Sequence, residues 1–341
     1  MRRVRAKPLE GFATAVFEAA GTPSDIAATV SSMLVMANLC GVDSHGVLRV
    51  PEYVSEIDRG QYKPKARPKV LKQKGATGIV DGSWGFGQPA GIMAMQLAMK
   101  KARVSGVGTV LAIRTNHIGR VADYTELAAK NGMIGFGLTN GGPGVAPWQG
   151  RDKLLGTNPI SFGIPGGEED PVVLDYATSV SSAGKLEVYK SKGKKVPRGW
   201  VQDAAGRPST DPDILAKGGS LRTFGGHKGY GLNLVVEALG GALTGQGVAD
   251  EFNGQNGTFM QAIDVEHFIP LRDFTRDMDK LVRKMRASKP AEGYTEVLVP
   301  GDPERRSMLE RGRNGIELND FVWGALMGVA KRFGVNAPET A

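Results

Sequence analysis

The chain of 341 residues has one cysteine, four histidines and no long apolar run. Its single cysteine, Cys40, cannot form a disulfide within the chain, which is typical of proteins from a reducing cytoplasm. No segment approaches the roughly 18 apolar residues that a membrane helix needs. The basic start, residues 1–5, is followed by Glu10 and Glu18 rather than by an apolar signal segment. We therefore expect a soluble, cytoplasmic protein that does not bind membranes.

Two common kinds of nucleotide and metal motif are also missing. The sequence contains neither a Gly-x-x-x-x-Gly-Lys-Ser/Thr loop nor a Cys/His spacing typical of zinc, so we predict no metal site. The segment Gly85-Phe86-Gly87-Gln88-Pro89-Ala90-Gly91 resembles a Rossmann fingerprint, but its last glycine comes one residue too late. The next predicted strand ends in Arg114-Thr115-Asn116-His117 instead of an acidic residue, which disfavours a Rossmann site.

The formal net charge of +8 raises the possibility of a nucleic-acid partner. Lysine and arginine concentrate in residues 185–198 and 272–289. In the second stretch the basic residues recur at helical spacing between apolar ones, as on the solvated face of a helix. We therefore expect no nucleic-acid partner, and an inactive anion- or nucleic-acid-binding protein is only a remote alternative. A basic surface also attracts anionic substrates and dinucleotide phosphates.

Apolar periodicity predicts an α/β protein with helical material at both ends. Within the first 60 residues, Thr22 is predicted to cap a helix that has Pro23 at its first position and ends near Gly41. A Pro/Lys-rich connector follows at residues 63–69. The predicted strands are 78–81, 107–115, 133–139, 160–164, 172–175, 259–265 and 296–299. The predicted later helices are 88–103, 120–130, 230–243, 271–285, 303–311 and 320–333.

Three of the four histidines lie in polar, glycine-flanked segments rather than on apolar faces. These segments are Asp43-Ser44-His45-Gly46, Thr115-Asn116-His117-Ile118-Gly119 and Gly225-Gly226-His227-Lys228-Gly229-Tyr230-Gly231. Loops at the ends of strands and helices are where catalytic groups concentrate. For any one of these histidines, a hydrogen-bonded turn residue is an equally good interpretation.

Two further segments, Gly156-Thr157-Asn158-Pro159 and Asp175-Tyr176-Ala177-Thr178-Ser179, make the pattern specific. Together with the histidine segments, they stand in the order and approximate spacing of one family. The sequence resembles the malate/L-lactate dehydrogenase family of the sulfolactate dehydrogenase type. The likeness extends from residues 44–53 through 197–200 and 210–212 to 314–318, so it covers nearly the whole chain. Each motif alone is weak evidence for the family, but five separated motifs together are specific.

This resemblance implies a homodimer that binds NAD or NADP on a mixed sheet unrelated to the Rossmann fold. We divide the chain accordingly into a helical N-terminal part (1–72), a central mixed-sheet domain (73–270) and a C-terminal helical part (271–341) that packs on the N-terminal part. Family members transfer a hydride between the nicotinamide and the alpha carbon of a small 2-oxo or 2-hydroxy acid such as malate, lactate or sulfolactate. The alternative is NADPH-dependent reduction of a cyclic imine 2-carboxylate.

The resemblance also indicates which residues carry out the chemistry. Carbonyl reduction needs a proton donor, and an imidazole suits this role because its pKa lies near neutrality. We favour His117 as the acid–base residue and keep His45 as substrate ligand or alternative acid. The substrate ligands are expected to be Ser44, Arg49 and Thr157. Arg49 lies four residues after His45, so the two share a face if that segment is helical, and a guanidinium is well shaped to hold a carboxylate.

The expected cofactor-binding residues, carried over from the family, are spread along the chain: Gly141, Asp175, Tyr176, Ala177, Lys228, Pro303, Glu304 and Arg305. Lys228 lies in a glycine-rich turn before a helix, where backbone N–H groups can also face an anion. The sequence departs from the family at two positions: Ile118 replaces the usual aromatic residue and Gly141 the common serine. Lysines 190, 192, 194 and 195 are compatible with a 2′-phosphate or with a solvated loop, so the choice between NADH and NADPH stays open.

Overall fold

The computed structural model of the protein describes residues 2–191, 193–252, 254 and 256–340. Its α-helices are α1 (Ala6–Ala19), α2 (Ser24–Leu39), α3 (Arg49–Asp58), α4 (Gly87–Ser105), α5 (Ala122–Ala129), α6 (Ala183–Ser191), α7 (His227–Val236), α8 (Leu271–Arg286), α9 (Asp302–Asn314) and α10 (Asp320–Phe333). Its strands are β1 (Arg2–Val4), β2 (Lys69–Lys74), β3 (Thr77–Asp81), β4 (Val107–Thr115), β5 (Met133–Thr139), β6 (Pro159–Ile164), β7 (Val172–Ala177), β8 (Val201–Gln202), β9 (Pro208–Ser209), β10 (Ser220–Leu221), β11 (Asn256–Asp264) and β12 (Ile316–Leu318). No helix in this described part of the chain is long and apolar enough to cross a bilayer.

A mixed sheet of seven strands forms the centre of the molecule, in the order β2-β3-β4-β11-β5-β6-β7. Only β3 and β4 are parallel, and α4 connects them; the other neighbouring strands run antiparallel. Along β4, Gly108, Val110 and Ala112 are buried while the residues between them are partly exposed, as the two-residue period of a strand requires. The predicted α/β fold with a mixed, non-Rossmann sheet is confirmed.

The two ends of the described chain meet in a second layer. Strand β1 pairs antiparallel with β12, so that Val4 lies opposite Ile316. One buried apolar cluster joins these strands to the inward faces of α1, α2, α3 and α10. Helix α8 instead contacts the loop between β6 and β7, where the Asp279 carboxylate accepts the backbone N–H groups of residues 167–169. The proposed domain boundaries at residues 72 and 270 therefore remain predictions.

Two sequence-based predictions about local structure are wrong. Residues 296–299 are not a strand, because the N–H of Val299 donates to the Asp302 carboxylate and so leads the chain directly into α9. Thr22 does not cap α2: Pro23 is the residue before the helix, in an extended conformation (ψ 143°), and α2 begins at Ser24. The Thr22 hydroxyl is buried and has no hydrogen-bond partner in the described part of the chain.

Other predicted elements are present with shifted ends. Helix α7 starts at His227, three residues before its predicted start, and continues as a π-helical segment over Glu237–Ala242. Strand β2 begins within the predicted connector, and its Lys-Val-Leu-Lys-Gln-Lys sequence has no buried side to reveal it. Between His45 and Arg49 the chain is not one helix: a 3₁₀ turn over Asp43–His45 ends at an extended Gly46, and α3 begins at Arg49.

Candidate active site

The structure brings His45 and His117 together although they come from different layers. His45 ends the 3₁₀ turn after α2, and His117 follows β4 at the edge of the central sheet. The centres of the two rings are 5.2 Å apart and the ring planes differ by 23°. Both side chains are partly exposed. Two stacked imidazoles at an accessible surface can exchange protons with a bound molecule.

The turn that carries His45 is fixed by Asn38 of α2. The Asn38 side-chain oxygen accepts the N–H of Val47 (2.8 Å), and its amide nitrogen donates to the Asp43 carboxylate (2.6 Å). Gly46 packs directly on this amide: a Cβ atom at position 46 would lie 2.2 Å from the Asn38 oxygen. The glycine after His45 is therefore required by space rather than by backbone conformation.

The loop that carries His117 is held equally firmly. The Asn116 side-chain amide donates to the carbonyls of Trp84 and Gly85, at 2.9 Å each. A Cβ atom at Gly87 would lie 2.3 Å from the Asn116 carbonyl oxygen. The glycine-rich segment that resembles a nucleotide-binding fingerprint thus allows α4 to approach the His117 loop closely.

Tyr53, which the sequence analysis did not single out, contacts His117 directly. Its hydroxyl lies 2.6 Å from His117 Nδ1 and also accepts a hydrogen bond from the Gln88 side-chain amide (3.1 Å). The Tyr62 hydroxyl accepts the backbone N–H of His117 (3.2 Å). Tyr53 lies four residues after Arg49 within α3, and this i,i+4 spacing was a usable signal that the two side chains share a face.

Arg49 lies beside the histidine pair, but not by the predicted helical continuity. Its Nε donates to the Ser44 carbonyl oxygen (2.8 Å), and its Nη1 donates to both carboxylate oxygens of Glu52 (2.6 and 2.8 Å). Nη2 has no hydrogen-bond partner among the described residues. The Ser44 hydroxyl lies 2.9 Å from His45 Nδ1. Arg49 therefore presents one free nitrogen, rather than a whole free fork, to an anion.

Burial and positive charge act in the same direction on both imidazoles. Burial is the larger cause, and together with the charges of Arg49 and Arg120 it lowers the pKa of His45 from 6.5 to about 4. Burial, Arg49 and His45 lower the pKa of His117 well below its usual value. Both rings are therefore neutral at pH 7 in the free protein. An anion bound next to Arg49 would oppose this effect and raise both pKa values.

The predicted cofactor residues fall into two groups. Asp175, Tyr176 and Ala177 lie on β7, and the Asp175 carboxylate accepts the N–H of Ala122 (3.0 Å). Burial, with further contributions from the charges of Asp123 and Glu304, raises the pKa of Asp175 from 3.8 to about 7. The structure thus brings Glu304 of α9 close to Asp175. Pro303 is exposed in the first turn of the same helix.

The remaining predicted cofactor residues do not join this group. The Arg305 guanidinium is occupied by the Pro171 carbonyl oxygen (2.9 Å) and by the carboxylates of Asp302 and Asp170, which leaves it little capacity for a ligand. Lys228 is exposed in the first turn of α7, and no contact in the described part of the chain connects it with Asp175 or with the histidine pair.

Gly141 follows the end of β5, and Thr157 precedes the start of β6. The Asn158 side-chain oxygen accepts the N–H of Gly141 (3.0 Å), and the Asn158 backbone is in the left-handed region (φ 44°). The Thr157 carbonyl oxygen accepts the N–H of Thr178 (2.9 Å). The Asn158 amide also donates to Asn233 of α7 (2.7 Å). These bonds fix Gly141 and Thr157 relative to α7.

A buried ion pair that was not expected from the sequence lies near Asp175. Arg120, 6% exposed, donates from Nε (2.9 Å) and Nη2 (2.5 Å) to one oxygen of Asp123. The other Asp123 oxygen, Oδ2, is buried without a partner in the described part of the chain. Arg120 also acts electrostatically on His45 and on Asp175, so its charge affects both halves of the site. The Arg-x-x-Asp spacing after Gly119 was the available signal.

Two surface cavities lie elsewhere. One, of about 460 Å³, is lined by Arg103, Asp264 and His267 among others, and the second, of about 560 Å³, by Trp148, Arg151 and Arg222 among others. Neither is lined by His45 or His117. The histidine pair therefore lies outside both of these cavities.

The stacked imidazoles lie beside Arg49, and comparison with known proteins gives the family. The chain matches the malate/L-lactate dehydrogenase family over residues 4–327 and belongs to it. It is 37% identical to the malate dehydrogenase of Pyrococcus horikoshii, over 98% of this chain and 96% of that protein. It is 38% identical to the L-sulfolactate dehydrogenase of Methanocaldococcus jannaschii, over 93% of each chain.

Solved structures agree with this membership. The malate dehydrogenase from Entamoeba histolytica superposes with a TM-score of 0.94 at 29% identity, covering 99% of both chains. The delta1-piperideine-2-carboxylate reductase from Pseudomonas syringae superposes with a TM-score of 0.86, also at 29% identity, over 97% of this chain and 100% of that chain. The fold therefore accommodates both a hydroxy-acid dehydrogenase and a cyclic-imine reductase.

Proposed function

We propose that the protein is a nicotinamide-dependent 2-hydroxy-acid dehydrogenase, which in reverse reduces the matching 2-oxo acid. The observation that carries this proposal is the contact between His45 and His117 beside the free Nη2 of Arg49. It places a proton-exchanging group next to an anion-binding group, as the oxidation of a hydroxyl adjacent to a carboxylate requires. The malate and sulfolactate dehydrogenases among the relatives support the same substrate class.

In this proposal His117 is the acid–base residue. Its Nδ1 faces Tyr53, so Nε2 is the nitrogen left to take the proton of the substrate hydroxyl during oxidation. Burial and the nearby charges lower the pKa of His117, so the ring is neutral at pH 7 and can take that proton in the tautomer that leaves Nε2 free. In the reverse direction, the substrate carboxylate at Arg49 offsets the positive charge that keeps His117 unprotonated, which favours the imidazolium needed to donate a proton.

His45, Ser44 and Thr157 are proposed to position the substrate. Ser44 and His45 are hydrogen-bonded to each other, and Arg49 holds the Ser44 carbonyl oxygen, so one turn presents all three groups together. Thr157 stands at the start of β6 close to Gly141 and is proposed to contact the substrate from the sheet side.

The residues present fit a nicotinamide dinucleotide. A side chain at Gly141 would meet nothing within 4 Å, which leaves room for a ligand against the backbone. The unpartnered Asp123 Oδ2 and the carboxylates of Asp175 and Glu304 are acceptors suited to ribose hydroxyls. We propose that these groups hold the cofactor with Tyr176, Ala177, Pro303 and the exposed Lys228, whereas Arg305 acts by fixing the start of α9. The nicotinamide supplies the hydride acceptor or donor when it is bound.

We expect NADH to be preferred over NADPH. Besides burial, the charges of Asp123 and Glu304 raise the pKa of Asp175, so a dianionic 2′-phosphate placed among these carboxyl groups would be repelled. Of the lysines considered for that phosphate, Lys190 is paired with Asp213 (2.7 Å), and residue 192 lies outside the described residues. The measurement is kcat/KM with each cofactor, and an equal or better value with NADPH would contradict this expectation.

The substrate test is a panel of acids with both cofactors. Malate, lactate and sulfolactate, and the matching 2-oxo acids, are compared with piperideine- and pyrroline-2-carboxylate. We expect turnover of at least one hydroxy acid and its oxo acid. Turnover of the cyclic imines alone would favour the second candidate function, reduction of cyclic imine 2-carboxylates. The structural likeness to the piperideine-2-carboxylate reductase supports that candidate. No turnover of any member, combined with salt-dependent binding of duplex DNA, would favour a binding protein instead.

The basic helix α8 offers little support for a nucleic-acid partner. Its arginines are engaged by acidic residues of this chain: Arg276 with Asp273, Arg283 with Glu168 and Arg286 with Asp302. Such pairs leave fewer charges free to neutralise phosphates. The free, buried thiol of Cys40 is compatible with the proposed cytoplasmic location, which cell fractionation tests directly.

We further propose that the protein is a homodimer. One face of α7 and the π-helical segment after it is exposed and consists of small and apolar residues at helical spacing: Gly231, Leu234, Val235, Ala238 and Ala242. Leu234 and Val235 are each 45% exposed. An apolar helix face without a partner in its own chain is typical of an interface between subunits. Light scattering at micromolar concentration should give twice the mass of 36.2 kDa, and Leu234→Lys should weaken the association.

A further inference from the structure

The hydrogen bonds of Tyr53 run in a defined direction. The hydroxyl oxygen accepts a hydrogen bond from Gln88 Nε2 at 3.1 Å, so its own hydrogen is directed to its other neighbour, His117 Nδ1, at 2.6 Å. Nδ1 is then an acceptor, and the single proton of the neutral ring is on Nε2. A ring with its proton on Nε2 cannot accept a second proton there.

The opposite arrangement needs an acceptor on the far side of Tyr53. If Nδ1 carries the proton, it donates to the hydroxyl oxygen, and the hydroxyl hydrogen must turn toward Gln88. The Gln88 oxygen, Oε1, is buried and has no hydrogen-bond partner in the described part of the chain. Rotation of the amide by half a turn would bring this oxygen to the hydroxyl. Both Tyr53 and Gln88 are 0% exposed, so bulk water does not reach either partner.

We propose that Gln88 and Tyr53 form a buried hydrogen-bond switch that selects which nitrogen of His117 carries the proton. With the amide nitrogen toward Tyr53, His117 carries its proton on Nε2 and is at rest. With the amide oxygen toward Tyr53, the proton is on Nδ1, and Nε2 is free to take the proton of a substrate hydroxyl. Gln88 and Tyr53 are thus positioning residues that act through His117.

The surroundings hold the two positioning residues in place while the amide turns. The Tyr53 ring packs against Phe17, Tyr62 and Phe86, with ring centres 5.2 to 6.2 Å away. Gln88 lies in the first turn of α4, close to Gly119 of the His117 loop. A Cβ atom at position 119 would lie 3.6 Å from Gln88 Nε2. The charged and titratable groups that face His117 are His45, Arg49, Tyr53 and Tyr62; none of them bonds to Gln88 Oε1.

The first test reads the proton position in the free protein and does not require turnover. Histidine ¹⁵N shifts report the tautomer, and the four histidines can be assigned with His117→Asn and His45→Asn. Above its titration, we expect wild-type His117 to carry the proton on Nε2. Gln88→Glu retains an acceptor for the hydroxyl in either protonation state and should move the proton to Nδ1. Gln88→Leu offers no acceptor and should keep it on Nε2. Identical His117 tautomers in both variants would overturn the proposal.

The second test rests on the proposed function of His117. In Gln88→Leu the Tyr53 hydroxyl hydrogen has no acceptor in the active arrangement, so kcat should fall at least about tenfold. Holding a catalytic histidine in the wrong tautomer can lower kcat by up to about 10⁴-fold. KM should change little, and the acid limb of the pH profile should move to lower pH. Gln88→Glu should retain the larger share of kcat. A Gln88→Leu variant with wild-type kcat and pH profile would refute the switch.

Two controls separate this outcome from general damage. Gln261→Leu removes a partly buried glutamine of the central sheet, whose amide donates to Thr109 (2.9 Å). This variant should leave kcat and the His117 tautomer unchanged. The His45 signals serve as an internal reference, because His45 is bonded to Ser44 and not to Tyr53. If His117→Asn leaves the acid limb intact, the proposed acid–base role fails while the tautomer result still stands.

Discussion

The opposing pKa shifts of His45 and Asp175 predict how stability depends on pH. Folding lowers the pKa of His45 from 6.5 to about 4, so between these values the unfolded chain binds a proton that the folded chain does not. The stability associated with neutral His45 is therefore complete above pH 6.5 and is lost as the pH falls toward 4. At pH 5 the loss is about 2 kcal/mol relative to pH 8.

Asp175 has the opposite effect over the same range. Folding raises its pKa from 3.8 to about 7, so the folded chain keeps a proton that the unfolded chain has released. The stability it contributes is present below pH 3.8 and is lost as the pH rises through 7. Between pH 5 and pH 8 that loss is about 2 to 3 kcal/mol. The two effects nearly cancel, so the wild-type protein alone should show only a weak dependence from these groups.

Single substitutions separate the two effects. The unfolding free energy is measured in urea at pH 5 and pH 8 at one protein concentration, with tryptophan fluorescence as the signal. Relative to wild type, His45→Asn should gain about 2 kcal/mol on going from pH 8 to pH 5, because it has no proton to take up. Asp175→Asn should gain about 2 to 3 kcal/mol on going from pH 5 to pH 8. Differences from wild type that are the same at both pH values would refute this account.

Three further predictions concern the site itself. His117→Asn should lower kcat about 10²-fold or more and flatten the acid limb of the pH profile, whereas His45→Asn should act mainly on KM; the reverse pattern in steady-state kinetics would exchange their roles. Arg49→Lys should weaken transition-state binding, measured from kcat/KM, by about 1.5 to 3 kcal/mol and leave cofactor affinity unchanged; an unaltered kcat/KM would remove Arg49 from the site. Gly46→Ala should destabilise the protein by about 1 to 3 kcal/mol in urea unfolding, because the added methyl group meets Asn38 at 2.2 Å; a neutral effect would show that the turn yields.

The sequence predicts well those helices and strands whose buried residues recur at a regular spacing. The two-residue alternation of β4 and the long apolar face of α4 are visible in the sequence and present in the structure. Strand β2 leaves no such trace, because every one of its residues is exposed at the edge of the sheet. Residues 296–299 misled for a different reason: they include a Val-Leu-Val run, but Leu298 is 41% exposed and Val299 alone of the four is buried, just before α9.

The site shows a similar division. Motif spacing pointed to His45, His117 and Arg49, and the structure brings them together. Local periodicity could not show that Gln88 bonds to Tyr53, the residue that contacts His117. That bond depends on how α4 packs in the folded chain. Nor could it show that Arg305 is occupied by Asp302 and Pro171, since an arginine in a helix looks the same whether it is free or paired.

The two halves of the site belong to separately packed cores, and this has an evolutionary consequence. Val47 and Val50, which flank Arg49, are buried in the apolar cluster of the terminal layer, whereas Ile118, which follows His117, is buried in the cluster under the central sheet. The two clusters are joined through Tyr53, which lies in the terminal cluster and bonds to His117, but changes elsewhere in one cluster should be close to additive with changes in the other. A lineage can thus remodel the substrate-binding turn while its hydride-transfer chemistry stays intact, which suits a family whose members act on acids as different as malate and sulfolactate.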